Sequence, residues 1–165
     1  MMETPMDRID KILNHDLFLY HLGRNNAAEA DRRFCRHSMV HFLDVARIGT
    51  IIALEEGLKI NREWIYAAAL LHDCGKHEQY ENGIPHEQAS ARIAPEILKA
   101  CGFNDEETGV IVTAISRHRD PEAAKEKNLN GILYRADKVS RACFACDAEK
   151  DCNWKDGKKN LAIRY

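Results

Sequence analysis

Residues 70–76 read LLHDCGK. Leu70 and Leu71 close the run IYAAALL (65–71), in which Ile65, Ala68, Ala69 and His72 fall at the three- and four-residue spacing of one helical face. Asn61 is placed as N-cap of this helix, REWIYAAALLHDC (62–74), and Gly75 as its stop. A helix that is apolar almost all round belongs at the centre of its fold. At its end His72 and Asp73 set two metal-ligand residue types side by side, and a buried pair of this kind needs a charged partner to offset its lost hydration. For the dipeptide alone, an internal His–Asp hydrogen bond is the simpler explanation.

Outward from this segment, apolar residues recur every three or four positions almost throughout, without repeats or low-complexity linkers, which predicts an all-α fold. The first helix is expected to begin near Thr4, with Pro5 in its first turn, and to turn Ile9, Ile12, Leu13, Leu17 and Leu19 or Tyr20 inward. A short helix over NAAEADRRF (26–34) follows. A longer one runs from about His37 to Glu56, with His41, Val45, Ile48 and Ile52 on its inner stripe and Gly57 ending it in a left-handed conformation. NGIP (82–85) is a loop, and HEQASARIAPEILKAC (86–101) is a helix that Pro95 must kink or split. Asn104 and Glu107 form a capping box for a helix through Ser116 and His118. The last helix, GILYRADKVSRAC (131–143), spaces Ile132, Asp137 and Arg141 along its length. These elements predict a helical bundle over 1–142 and a short irregular, cysteine-rich C-terminal tail over 143–165, packed on the same domain.

The chain has 165 residues, enough for one domain to bury its own core. Lys and Arg total 24 against 26 Asp and Glu, so there is no global bias toward nucleic acid or an anionic membrane. The start, MMETPMDRID, lacks the pattern of a secretory signal, and IYAAALL is too short to span a bilayer. The expectation is therefore a cytoplasmic protein with no membrane partner, in which six unevenly spaced cysteines are buried side chains or metal ligands, not a disulfide framework.

The His-Asp dyad is not isolated. His41 lies upstream on an inward face, and His86, His118 and Asp137 lie downstream on the edge or apolar side of helical segments. Four histidines and two carboxylates suit a pair of first-row transition ions, with one carboxylate able to bridge them. LLHDCGK, with a preceding His and a following RADK (135–138), resembles the HD-domain superfamily of metal-dependent phosphohydrolases over residues 34–142. The resemblance is close to the bacterial symmetric diadenosine tetraphosphatases and their small relatives. The resemblance implies an HD-domain helical bundle in which His41, His72, Asp73 and Asp137 hold one divalent ion. His86 in IPHEQASA and His118 in AISRHR are carried over as ligands of a second. RHSMVHFLDVA (36–46) offers both His37 and His41; HFLDVA fits the family context better, which leaves His37 as a supporting or substitute ligand. His77, His15 and His21 have no counterpart in the pattern and are expected at the surface or its boundary.

By this resemblance the protein hydrolyses a phosphate ester or anhydride, with a nucleotide as the expected substrate. Asp73 would bridge two ions (Fe, Mn, Co, Ni or Mg) that activate a water. Lys76 is the first candidate for offsetting charge on the phosphoryl oxygens, followed by Arg117, Arg119 and Arg135. Two other readings use the same residues: a di-iron oxygenase of the same fold, and a sensor that binds a nucleotide or reports redox state without turnover. The assembly state stays open, since the first helix can pack against a second copy as readily as against its own bundle.

The stretch CFACDAEKDC (143–152) gives C-x2-C-x5-C, and Cys35, just before His37 and His41, supplies a fourth thiol. Together Cys35, Cys143, Cys146 and Cys152 suit zinc or an iron–sulfur cluster. The surrounding charged residues are a poor place to hide apolar side chains. A similar tail, from FCRH to CNW, resembles that of small clostridial-type HD proteins. Cys74 and Cys101 read as small buried hydrophobes.

Overall fold

The computed structural model describes residues 6–165. Among them are eight α-helices: α1 (Asp7–Leu13), α2 (Asp16–Ala28), α3 (Met39–Glu55), α4 (Arg62–Leu71), α5 (Lys76–Asn82), α6 (His86–Ala100), α7 (Asp105–Ser116) and α8 (Leu129–Val139). The described residues form no strand. The helical bundle expected from the periodicity is the fold observed, and no helix among the described residues is long and apolar enough to cross a membrane.

Helix α4 is the axis of the bundle. Ala67, Ala68, Ala69, Leu70 and Leu71 are all fully buried, and the alanines leave room for α3, α7 and α8 to close around them. Asn61 caps α4 by accepting from the Glu63 N–H at 2.9 Å. Phe42, Val45, Ala46 and Ile52 of α3 and Ile132, Leu133 and Ala136 of α8 supply the facing surfaces. At α7 the capping box is complete: Asn104 accepts from the Glu107 N–H, and Glu107 accepts from the Asn104 N–H, both at 2.9 Å. Glu107 also receives Arg8 and the Trp64 indole N–H, which ties α1 to the rest of its own bundle.

Several boundaries differ from the periodicity. Thr4 and Pro5 lie outside the described residues. The first predicted helix is two, because His15 is extended and its Nδ1 accepts from the Leu17 N–H, starting a new helix in a new direction. That turn exposes Leu19 and Tyr20, which had been expected inward, and buries Phe18, His21 and Asn25 instead. Residues 26–34 are not a separate helix: α2 ends at Ala28, and an irregular link leads to α3. α6 passes through Pro95 undivided, and α8 ends at Val139, so Arg141 lies beyond it.

Gly57 takes the left-handed conformation foreseen for it, with φ of 65°. Gly75 does not, and is needed for a different reason. A Cβ there would stand 2.7 Å from both the Ala89 Cβ and the Ser90 N of α6. The turn 72–75 between α4 and α5 therefore presses directly on α6, and the Gly75 N–H donates to Ser90 Oγ at 2.9 Å. Gly75→Ala should lower stability in urea unfolding by roughly 1–3 kcal/mol through overpacking. Gly109→Ala, on an open face of α7 where a Cβ meets nothing within 4 Å, should raise it by about 1 kcal/mol.

Candidate metal centre

The turn after α4 carries His72 and Asp73 into the middle of the bundle, where both are buried. Asp73 then addresses two sets of side chains with its two oxygens. Oδ2 stands 2.9 Å from His72 Nε2 and 3.3 Å from His41 Nε2. These two nitrogens lie 3.5 and 3.2 Å from Asp137 Oδ1. Oδ1 stands 3.3 Å from His86 Nε2 and 3.5 Å from His118 Nε2, which are themselves 3.2 Å apart. The structure thus gathers His41, His72, Asp73 and Asp137 in one group and Asp73, His86 and His118 in another, each with its donor atoms within 4.8 Å of one another.

The outer nitrogens of these rings are held so that Nε2 points inward. His72 Nδ1–H donates to the Ala69 carbonyl at 2.6 Å, His118 Nδ1–H to the Ile115 carbonyl at 2.7 Å and His86 Nδ1–H to Gln79 Oε1 at 2.6 Å. His41 Nδ1 faces Ser140 Oγ at 3.4 Å, and that hydroxyl donates to the Asp137 carbonyl. On the inner side, His41 Nε2, His72 Nε2 and Asp73 Oδ1 are buried without a hydrogen-bond partner. Buried donor atoms crowded at this distance are costly unless a cation lies between them, so the donor set fits divalent metal, with Asp73 common to both groups.

Electrostatics agree with that fit. Burial would raise the Asp73 and Asp137 carboxyls, but the surrounding histidines hold both well below the usual carboxylate range. Burial would lower the His72 ring, but Asp73 and Asp137 outweigh it and hold it up at about 10. His86 is pushed down to about 3, chiefly by burial.

His37 precedes α3 and does not lie on it. Its Nδ1 and backbone N–H contact the Glu29 carboxylate at 2.6 and 2.7 Å, and its Nε2 looks at Asp73 Oδ2 from 3.9 Å. It stands outside the tight groups, on the side open to a cleft of about 530 Å³. Lys76, at the start of α5, lines the same cleft with Arg119. The other two arginines expected near phosphate are engaged elsewhere. Arg117 is paired with Asp120 and Glu126, and Arg135 makes a two-pronged pair with Glu56; neither lines the cleft.

Residues that periodicity did not reveal complete the setting. Asn25, fully buried on α2, donates to the Asp73 carbonyl and accepts from the His77 N–H, at 2.9 and 2.8 Å, so it clamps the turn that carries the dyad. His21 and His77 are buried against each other, Nδ1 to Nε2 at 2.8 Å, and are not the surface residues expected of them. Glu29, held down at about 2 against its burial by His37 and Tyr80, is a second buried carboxylate behind the site. Arg32, Lys138 and Arg141 add positive charge to the cleft, and Trp154 of the tail forms part of its wall. An unbroken Asn25-Asn26 pair in a helix was the available signal for the first of these.

A family model described as HD domain matches residues 39–142. An uncharacterized protein of Clostridium beijerinckii is 50% identical over 160 residues, covering 97% of this chain and 100% of its own. Ribonuclease Y of Mesoplasma florum is 31% identical over 102 residues, and that of Mycoplasma mycoides subsp. mycoides is 26% identical over 141. The chain spans only 18% and 25% of the length of those two ribonucleases. Among solved structures, a predicted HD superfamily hydrolase from an uncultured Thermotogales bacterium superimposes with a TM-score of 0.58 at 26% identity, covering 73% of this chain and 66% of that one.

Asp73→Asn should remove metal from both groups, and His118→Ala from the second group only, as read by elemental analysis of the purified variants. Since His72 in the metal-free chain is held up at about 10, it carries a proton at neutral pH that a cation must displace. Metal uptake at pH 7 should therefore release protons, seen as a calorimetric enthalpy that changes with the ionisation enthalpy of the buffer.

Proposed function

The chain belongs to the HD-domain family, and on that premise we propose that it is a metal-dependent phosphohydrolase acting on a small phosphate ester or anhydride, with a nucleotide as the favoured substrate. The observation that carries this reading is the division of labour at Asp73: one carboxylate whose two oxygens serve two separate donor groups at the floor of a cation-lined cleft. When bound, the ions would supply the Lewis acidity that brings a water to the ionised state near neutral pH.

The protein's own groups do the rest. His41, His72, His86 and His118 hold their Nε2 atoms inward through the contacts on their outer nitrogens, and Asp137 Oδ1 faces the first two. Lys76 is largely buried, and its Nζ lies 3.3 Å from His86 Nδ1 at the edge of the second group. Burial lowers its pKa against the pull of Asp73, so a phosphoryl group entering the cleft would give this ammonium an anionic partner. Arg119 approaches the same region, while Arg32 and Arg141 stand among the residues further out. A cleft of about 530 Å³ is of a size that takes a mononucleotide-sized group. Hydrolysis at phosphorus is also the chemistry that the name ribonuclease Y implies for the relatives that bear it.

The test is a screen of nucleotides, dinucleoside polyphosphates and simple phosphate esters with Mn, Fe, Co, Ni and Mg, begun from protein prepared without oxygen. Phosphate or a shortened nucleotide should be released with at least one metal. Lys76→Ala should lower kcat on the order of 10²–10³-fold while retaining its metals. Consumption of oxygen by the ferrous protein without phosphate release would overturn the proposal in favour of an oxygenase. Thermal stabilisation by nucleotides with no turnover under any metal would overturn it in favour of a sensor.

A further inference from the structure

Four of the six cysteines meet outside the helical core. Cys35, in the link between α2 and α3, and Cys143, Cys146 and Cys152 of the tail line one cavity of about 240 Å³. All four are free thiols, whereas Cys74 and Cys101 are buried in the core as expected of them. Burial pushes the Cys35 thiol up against the pull of Arg141, and Cys143, Cys146 and Cys152 push it further in the same direction, so the four sulfurs share one field.

The tail around this cavity is tied to the body by the Asn160 side chain, which donates to the Lys138 and Arg141 carbonyls, and by an Arg33–Asp151 ion pair, but it buries little apolar surface. Of residues 143–165 only Ala148 is buried, and Phe144, Leu161, Ile163 and Tyr165 are exposed. Its regular structure amounts to three short 3-10 turns. Local hydrogen bonds join Phe144 N–H to the Asn160 carbonyl and Lys159 Nζ to Glu149, at 3.0 and 2.9 Å. Ordering such a segment costs about 1–2 kcal/mol per residue in backbone entropy, which so little apolar burial does not offset. Segments with this deficit are held by cross-links or by metal.

We propose that Cys35, Cys143, Cys146 and Cys152 bind an iron–sulfur cluster as four thiolates. A single zinc would draw its four sulfurs to about 3.8 Å from one another, given tetrahedral bonds of about 2.3 Å. The donor atoms of the two histidine groups stand within 4.8 Å of one another, and the thiols form no such group. Thiols spread around a cavity suit a cluster, which places several irons and sulfides between its ligands. Arg141 lines the cavity and would offset part of the negative charge that such a centre carries. Cys152 and Trp154 line this cavity and the catalytic cleft alike, so the cluster would fix one wall of that cleft.

The full chain, isolated without oxygen from iron-supplied cells, should show broad visible absorbance from thiolate-to-iron charge transfer. It should also contain acid-labile sulfide, with iron in excess of what the histidine groups hold. Cys146→Ser should lose the sulfide and the absorbance and open the tail to protease, while the histidine-bound metal stays. Cys35→Ser, in the α2–α3 link, should do the same with unchanged far-UV circular dichroism, and Cys101→Ser should keep the cluster. These readouts are independent of phosphate release, so they stand or fall apart from the hydrolase reading. Zinc without sulfide would overturn the cluster. Either no metal beyond the histidine groups, or disulfides in the untreated protein, would overturn the site altogether.

Discussion

A carboxylate buried at the centre of a helical bundle is the constraint on which this architecture turns. Asp73 has lost its water, and its hydration is replaced by the Nε2 atoms of four histidines drawn from α3, the α4–α5 turn, α6 and the end of α7. Such an arrangement is stable only if each ring is fixed from behind and the turn bearing the carboxylate cannot shift. Backbone carbonyls at Ala69 and Ile115 fix two of the rings, and Gln79 and Ser140 side chains face the other two. Asn25 and Ser90 hold the turn.

The packing of the bundle serves the same centre. Three consecutive alanines in α4 let α3, α7 and α8 approach closely enough for His41, His118 and Asp137 to gather in the two groups that share Asp73. Gly75 lets the turn lie against α6, which brings His86 to the other oxygen of Asp73. The cleft above is built differently, from polar and irregular segments. The α2–α3 link contributes Arg32 and His37, the end of α7 leads to Arg119, and the tail adds Trp154. A rigid apolar frame thus carries the His and Asp groups, and less regular chain forms the walls of the cleft.

Periodicity made most of the bundle legible because its core helices bury apolar residues at helical spacing, and their caps are written in Asn61 and in the Asn104–Glu107 pair. It misjudged α2, whose buried stripe is Phe18, His21 and Asn25, since two of those three residues are polar. Their partners, His77 and the backbone of the Asp73 turn, lie about fifty positions away, and nothing local to α2 announces them. Arg117 and Arg135 were placed by sequence position for a related reason: Arg117 is next to His118 and Arg135 is two positions before Asp137, but their guanidinium groups turn to the carboxylates of Asp120, Glu126 and Glu56.

By itself the sequence determined the helical class, the central place of α4 and the kinds of side chain that gather near Asp73, because spacing at three and four residues and the chemistry of His and Asp are local properties. Only the tertiary structure decided that Asp73 divides its oxygens between two groups, that His41 enters the tight group while His37 stays at the cleft, and that Cys35 meets the tail. Those are distances of a few ångströms between residues tens of positions apart, and they exist only once α3, α6, α7 and α8 have closed around the same buried charge.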